Sequence, residues 1–284
     1  MSRFAAIDLS QLPAPQVVET LDFEGVVAAL KADLTARYPE AAQVLDLESE
    51  PLVKLIEAFA YRETLLRARI NDAARAVMLA HATGGDLENL VALLGVARLV
   101  DEADAALRAR AQLALEGYTV AGSVGAYAFH ARSASADVAD VAVTSDAPGW
   151  VTITVLSVLG DGTPSADLRA TVSDAVNADE VRPLCDSVVV QGAVIQSYAV
   201  AATIYVGAGP DADVVTAQAE SALNTYLAQT HALGATVSRS GIFAALHQGG
   251  VTRVELISPA TDIVAPATGA PWCSAVTLTT QVGA

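Results

Sequence analysis

The strongest constraint on this fold is a long segment without helix-breaking residues. Residues 52–82 contain no glycine or proline, and apolar residues recur along them every seven positions, with Glu63 as the one polar break. Ser49 can accept a backbone hydrogen bond, and Pro51 suits the first turn of a helix. A seven-residue repeat is typical of helices that pack side by side. The pattern predicts a helix over residues 51–82, about 45 Å long at 1.5 Å per residue.

Such a long helix must bury its apolar seam against something. The helices expected near residues 23–38 and 86–116 of the same chain could cover part of it, and a helical bundle with another chain would cover it equally well. In the second case the seam is a partner interface, formed by Leu52, Ile56, Phe59, Leu66, Ile70 and Val77. Arg62 and Arg69 lie seven residues apart and form a possible polar docking face, while Glu63 and Arg67 have the spacing of an intrahelical ion pair.

The other N-terminal segments are predicted to be shorter. Pro13 and Pro15 favour an extended arm over residues 1–20. A helical region then spans residues 21–116. Its expected features are a first helix that Asp22 caps and that ends near Tyr38, a short helix that Asp86 caps after Gly84 and Gly85, and a helix that starts at Asp101 or Asp104 and reaches Gly117.

Beyond residue 117 the pattern changes from helical to mixed. Ser123 is expected to open a helix, residues 138–143 and 150–155 form a hairpin, and a helix begins after Thr163 and Pro164. Residues 187–210 carry no charge, but apolar residues alternate along them with a period of two, which favours a buried strand over a membrane-spanning helix.

A second unit follows, with helices over 214–227 and 241–247, a strand over 251–257, and a tail that forms either an added strand or a partner-docking arm. The predicted fold class is α+β: a long N-terminal helical region followed by two small α+β domains, at 117–206 and 207–284.

The composition argues against several functions. The net charge of -16 repels phosphate backbones and therefore disfavours nucleic-acid binding. The charge is explained either by solubility or by binding of a partner with a basic surface. Cys185 and Cys273 lack metal-ligand spacing, and the glycine clusters lack the lysine of a phosphate-binding loop. The histidines are dispersed and are expected to be surface or capping residues: His81, His130, His231 and His247. We therefore predict no catalytic, cofactor-binding or metal-binding residues, no cofactor and no enzymatic activity. The N-terminal residues do not predict a signal peptide.

Several of these segments resemble the baseplate J-like proteins of contractile-tailed phages. The resemblance is carried by residues 8–15 (DLSQLPAP), 21–24 (LDFE), 48–51 (ESEP), 60–63 (AYRE), 69–77 (RINDAARAV), 125–131 (GAYAFHA), 160–165 (GDGTPS) and 181–184 (VRPL). It covers residues 1–206 well and the remainder loosely.

The resemblance implies a wedge subunit of the tail baseplate. Two copies would join one copy of a second wedge protein through their helical segments, and C-terminal domains would link neighbouring wedges into a ring around the hub and transmit the trigger for sheath contraction. The expected partners are a second copy of the chain, the second wedge protein, and sheath-initiator or hub-proximal proteins, without nucleic acid or membrane insertion.

The expected location is the baseplate of a virion, or of a phage-derived contractile particle such as a bacteriocin, assembled in the cytoplasm of the host bacterium. The alternative hypotheses are an extracellular adhesin rich in β-structure, suggested by the Ala, Val, Thr and Gly content after residue 137, and a hydrolase that uses dispersed carboxylates.

Overall fold

A computed structural model describes residues 7–119, 121–207, 209 and 211–282. Contacts between residues divide the chain at Ala97 and Arg98 into a helical unit and an α+β unit. The fold class is therefore α+β with an N-terminal helical region, as the sequence predicts. None of the helices in these residues is both long enough and apolar enough to cross a membrane.

The helical unit contains three α-helices: α1 (Phe23–Arg37), α2 (Pro51–Ala76) and α3 (Gly84–Ala92). Single turns of 3-10 helix occur at Leu9–Gln11 and Pro39–Gln43. Asp22 occupies the N-cap of α1 and Tyr38 its C-cap, as predicted, although the Asp22 side chain makes no capping hydrogen bond. Most of the predicted N-terminal arm is without regular structure, and its first six residues lie outside the described part.

Helix α2 is shorter than predicted. It ends at Ala76, and its 26 residues span about 39 Å. Residues 77–82 fold into turns in which the N–H groups of His81 and Ala82 both donate to the Met78 carbonyl. Ala82 is 1% exposed. The absence of glycine and proline permits a helix but does not enforce one, and here burial of Ala82 accompanies the turns.

Two predicted caps in this unit are wrong. The N-cap of α2 is Glu50 rather than Ser49, although Pro51 does lie in the first turn. Helix α3 begins at Gly84 after Thr83, so Asp86 is its third residue and not its cap. Gly84 has a φ of 52°, a conformation that a residue with a Cβ rarely adopts.

The α+β unit begins with two helices and a first sheet. Its elements are α4 (Asp104–Leu113), α5 (Val124–Ala134), β1 (Val138–Ala147), β2 (Trp150–Ser157), α6 (Ala166–Val176) and β3 (Ser187–Gly192). Strands β1 and β2 form the predicted antiparallel hairpin, and β3 pairs in parallel with β2 after the α6 crossover. Helices α5 and α6 start at Ser123 and Ser165, whose hydroxyl oxygens accept N-terminal backbone N–H groups. Apolar side chains of both helices and the sheet form one core.

The second sheet has the order β6-β4-β8. The remaining elements are β4 (Val194–Val206), α7 (Ala212–Thr230), β5 (Thr236–Val237), α8 (Arg239–Leu246), β6 (Val251–Ser258), β7 (Ile263–Val264) and β8 (Gly269–Val282). Strand β4 pairs antiparallel with β6 and in parallel with β8. The second sheet therefore starts at Val194 rather than after residue 206, and the tail forms an added strand. Residues of β4 at alternate positions are buried, as the period of two predicts.

Candidate assembly surface on helix α2

One face of α2 is buried within the helical unit. Val53, Ile56 and Ala60 are 7% exposed or less and pack in a core with Val27 of α1. Ala41 and Leu45, between α1 and α2, complete this core. The buried face occupies only one side of the helix, so the remaining sides of α2 depend on other contacts.

The N-terminal arm is attached to the same side of α2, further along the helix, since Arg67 and Asn71 lie at about 120° and 160° on a helical wheel with Leu55 at 0°. The buried Asn71 side chain donates to the Glu19 carbonyl at 2.8 Å and accepts the Glu19 N–H at 3.1 Å. Arg67 contacts the carboxylates of Glu63 at 2.8 Å and Glu19 at 2.9 Å, which confirms the predicted Glu63–Arg67 pair. The hydrogen bond to Glu63 and the charge of Glu19 raise the pKa of Arg67. Glu63 breaks the apolar seam because it lies on the flank that faces the arm.

A second side of α2 carries large apolar side chains that the described residues leave more than half exposed. Leu55, Phe59, Leu66 and Ile70 are 53%, 61%, 66% and 60% exposed. At 100° per residue they fall within an arc of about 60°, so they form one stripe. Val77, just beyond the end of the helix, is 69% exposed. We call Leu55, Phe59, Leu66 and Ile70 the α2 stripe.

The predicted seam is thus divided between two faces. Phe59, Leu66, Ile70 and Val77 are exposed, but Ile56 is buried in the core of the unit and Leu52 packs against that core. Ile56 and Leu52 are therefore poor candidates for a partner contact. Seven-residue counting missed Leu55, which lies four residues before Phe59. Placing each residue at its angle on an α-helical wheel would have found it.

The predicted polar docking residues border the α2 stripe. Arg62 and Arg69 lie at about 340° and 320° on the wheel on which Leu55 is at 0°, so both flank the same edge of the stripe. Both are exposed. Neither forms an ion pair or hydrogen bond with the described residues. Two cations without carboxylate partners are notable in a chain with 32 acidic and 16 basic residues.

Other parts of the molecule offer little for chemistry. Within residues 7–119, 121–207, 209 and 211–282, no group of histidine, cysteine and acidic side chains is arranged to hold a metal ion. His81 and His247 are exposed, and His231 and His247 are C-caps of α7 and α8. His130 lies inside α5 and is partly buried; burial lowers its pKa although a hydrogen bond to the Gly117 backbone opposes the shift.

Comparison with known proteins identifies the family. Residues 48–104 match the Baseplate J-like N-terminal domain, residues 119–192 the Baseplate J-like central domain, and residues 198–279 the Baseplate J-like protein C-terminal domain. Baseplate protein J of Escherichia phage P2 is 48% identical over 288 residues, which cover 94% of this chain and 95% of that protein. The match extends through the C-terminal residues that the sequence resemblance covered only loosely. The chain belongs to the baseplate J-like family, and with it to the structural proteins of the phage tail baseplate.

Proposed function

We propose that this chain is a wedge subunit of a contractile tail baseplate and that the α2 stripe is its main assembly contact. The observation that carries the proposal is the exposure of four large apolar side chains along one arc of a 26-residue helix. Contiguous exposed apolar surface of this kind marks interaction sites in soluble proteins. Membership of the baseplate J-like family supports other baseplate proteins as the partners.

A helical partner suits the shape and chemistry of the stripe. Side chains spaced four, seven and four residues apart present one narrow ridge, which packs into the groove of a parallel or antiparallel helix. Full burial of one such side chain contributes about 1.5–3 kcal/mol. More than half of each of the four side chains is still exposed, so covering the stripe favours association. Arg62 and Arg69 would meet carboxylates of the partner helix at the rim, where ion pairs contribute to specificity more than to affinity.

In this proposal the helical unit joins a second copy of the chain and a second wedge protein in a bundle. The C-terminal domain links neighbouring wedges into a ring around the hub, next to the sheath-initiator and hub-proximal proteins. The ring transmits the trigger for sheath contraction. The baseplate belongs to a virion or to a phage-derived bacteriocin particle. The role is structural, and we assign no catalytic step to the chain.

Co-purification with the neighbouring tail proteins tests the proposal. Phe59→Asp or Leu66→Asp places a charge in a dry helical contact and should abolish the complex. Because both side chains are exposed in the isolated chain, the variants should retain the circular dichroism spectrum and unfold within about 0.5 kcal/mol of the parent.

Tyr61→Asp is the matched control, since Tyr61 is 58% exposed on α2 but lies about 150° from the centre of the stripe. This variant should assemble normally. Undiminished complex formation by both Phe59→Asp and Leu66→Asp would remove the stripe from the interface.

A further inference from the structure

Two turns lie side by side at one end of the first sheet. Residues 148–149 join β1 to β2, and residues 183–186 form a turn that precedes β3. The Ser187 N–H donates to the Gly149 carbonyl at 2.6 Å. The Cys185 carbonyl oxygen lies 3.1 Å from the position that a Cβ on Gly149 would occupy. Both turns therefore belong to one local surface.

This surface exposes large apolar side chains. Leu184, in the second turn, is 98% exposed, the highest value among the large apolar side chains that the structure describes. Trp150 is 57% exposed and Val189 is 47% exposed. Trp150 pairs with Ser187, so Val189, two residues further along β3, shares its face of the sheet. Helices α5 and α6 pack on the opposite face. We call Leu184, Trp150 and Val189 the Leu184 patch.

Hydrogen bonds hold the turn that carries Leu184 in place. The hydroxyl of Tyr127, a residue only 1% exposed, donates to the Asp186 carboxylate at 2.8 Å. The Arg182 guanidinium donates to the Asp186 carbonyl at 2.9 Å, and the Asp186 N–H donates to the Pro183 carbonyl at 3.0 Å. The backbone on both sides of Leu184 is thus fixed before any partner arrives. Such preorganisation lowers the entropic cost of binding.

Acidic side chains from two other elements lie at the same end of the sheet. Asp146 is beside the β1–β2 turn, because Ala147 pairs with Trp150. Helix α6 connects two strands that pair in parallel, so it runs back along the sheet and ends where β3 begins. Asp179 and Glu180 follow that end. These three acidic side chains are exposed and form no ion pair within the described residues.

The local charge indicates what kind of protein could cover the patch. Residues 146–150 and 179–189 contain four acidic residues and a single cation, Arg182. An apolar centre with an acidic rim is complementary to a concave apolar pocket whose rim carries lysine or arginine. A second copy of the chain fits poorly, because with 32 acidic and 16 basic residues it would bring mostly negative charge to this rim.

We propose that the Leu184 patch docks into an apolar pocket with a basic rim on a different tail protein. Trp150 supplies the kind of side chain that dominates binding energies, and Leu184 projects beyond it. This contact is separate from the α2 stripe. The proposal rests on the proposed baseplate role only for the proteins among which the partner is sought.

The thiol of Cys185 provides a test in the native sequence. Cys185 is exposed, whereas Cys273 is partly buried and burial raises its pKa, so a maleimide should label Cys185 first. In the purified complex with the neighbouring tail proteins, mass spectrometry should show Cys185 labelled about ten-fold more slowly than in the isolated chain, because the partner covers the turn. In the isolated chain the labelling rate should not depend on protein concentration.

Substitution of Leu184 tests the contact itself. Leu184→Asp should preserve the circular dichroism spectrum, because the side chain is exposed, but should remove one tail protein from the complex and restore fast labelling of Cys185. Leu159→Asp is the matched control, since Leu159 is 62% exposed but follows the other end of β2. This variant should keep the complex and the protection. The Leu184→Asp chain should still bind the protein that Phe59→Asp loses, so failures of the two proposals give different results.

A third variant tests the chemistry of the partner. Asp146→Asn, Asp179→Asn and Glu180→Gln together remove three negative charges from the rim. This chain should bind the same tail protein about ten-fold more weakly at low salt and with a smaller dependence on salt. Unprotected Cys185 in the complex, normal assembly by Leu184→Asp, or unchanged binding by the rim variant would each overturn the proposal. Protection of Cys185 in the isolated chain at high concentration would overturn it in favour of a second copy.

Discussion

The helical unit and the second sheet of the α+β unit bury their apolar side chains to different extents. In the second sheet, helices α7 and α8 cover one face of the β6-β4-β8 sheet, and Ile204, Leu223, Ile242 and Leu246 have no exposed surface. The core that α1 and α2 form is smaller and includes two alanines, Ala41 and Ala60. The four large apolar side chains of the α2 stripe remain outside that core.

The second sheet therefore buries its large apolar side chains within the chain itself, whereas helix α2 leaves several of its own exposed. A side chain in a finished core contributes its full transfer free energy to the stability of the isolated chain. A side chain in the α2 stripe, which is 53–66% exposed, contributes the larger part of it only when a partner covers it. Matched substitutions in the two regions therefore test the comparison directly, and the two tryptophans, Trp150 and Trp272, report unfolding of the α+β unit by fluorescence.

The largest effect is expected at the buried ion pair of the α+β unit. Arg110 and Glu102 are hydrogen-bonded at 2.8 and 2.9 Å, and their side chains are 5% and 2% exposed. Arg110→Met leaves the Glu102 carboxylate buried without its cation and should cost about 3–5 kcal/mol of unfolding free energy. Urea denaturation followed by fluorescence measures this loss.

Arg69→Met is the matched change in the helical unit. Arg69 is exposed and forms no ion pair within the described residues, so the change should shift stability by less than about 0.5 kcal/mol. Equal costs for the two arginines would contradict the comparison.

A pair of isoleucines gives the next effect. Ile204→Ala removes a fully buried side chain from β4 and should cost about 2–5 kcal/mol, whereas Ile70 is 60% exposed and Ile70→Ala should cost less than about 0.5 kcal/mol. Fluorescence measures the first loss and circular dichroism the second. When binding of the partner is measured instead of stability, the ranking of the two variants should change, because Ile70→Ala weakens binding. A large loss of stability for Ile70→Ala in the isolated chain would mean that the stripe is already covered.

Much of the fold was predictable because its signals are local. Period-two alternation identified β4, the strand-like residues at 138–143 and 150–155 identified the β1–β2 hairpin, and Ser123 identified the start of α5. The end of α2 was not predictable, because the turns after Ala76 and the burial of Ala82 that accompanies them leave no local signal in the sequence. The sequence also could not predict that β4 belongs to the second sheet. Only one residue separates β3 from β4, and the two sheets are distinguished only by which strands pair.

The candidate site was predictable in part. The seven-residue repeat located Phe59, Leu66 and Ile70, but a repeat cannot show which apolar residues the chain buries by itself. Ile56 entered the core because α1 packs beside it. Asn71 gave no sequence signal, because its role depends on the Glu19 backbone, which is 52 residues away along the chain. Long-range hydrogen bonds of this kind appear only in the folded structure.

The attachment of the arm gives a smaller effect inside the helical unit. Asn71→Ala removes two hydrogen bonds to the Glu19 backbone and should cost about 1–3 kcal/mol. Arg67→Ala breaks ion pairs whose side chains are 37–44% exposed and should cost about 0.2–1 kcal/mol. Hydrogen exchange of the Glu19 amide should accelerate strongly in the first variant and weakly in the second. The reverse order would show that charge, rather than the amide bonds, holds the arm.

The smallest effect concerns acid and again separates the two units. Burial by itself would raise the pKa of Glu102, but hydrogen bonds from Arg110 and from the Leu99 N–H, with the charge of Arg110, lower it below its ordinary value of 4.5. The unfolded chain then binds the proton at higher pH than the folded chain. The contribution of Glu102 is complete above pH 4.5 and is lost as the pH falls from there through the folded-state pKa. Glu102→Gln should therefore flatten the acid limb of the stability curve measured by tryptophan fluorescence. Glu57→Gln, on the partly exposed surface of α2, should leave this limb unchanged because both tryptophans lie in the α+β unit. An acid limb that is equally steep in the Glu102→Gln variant would show that other carboxylates control acid unfolding of the α+β unit.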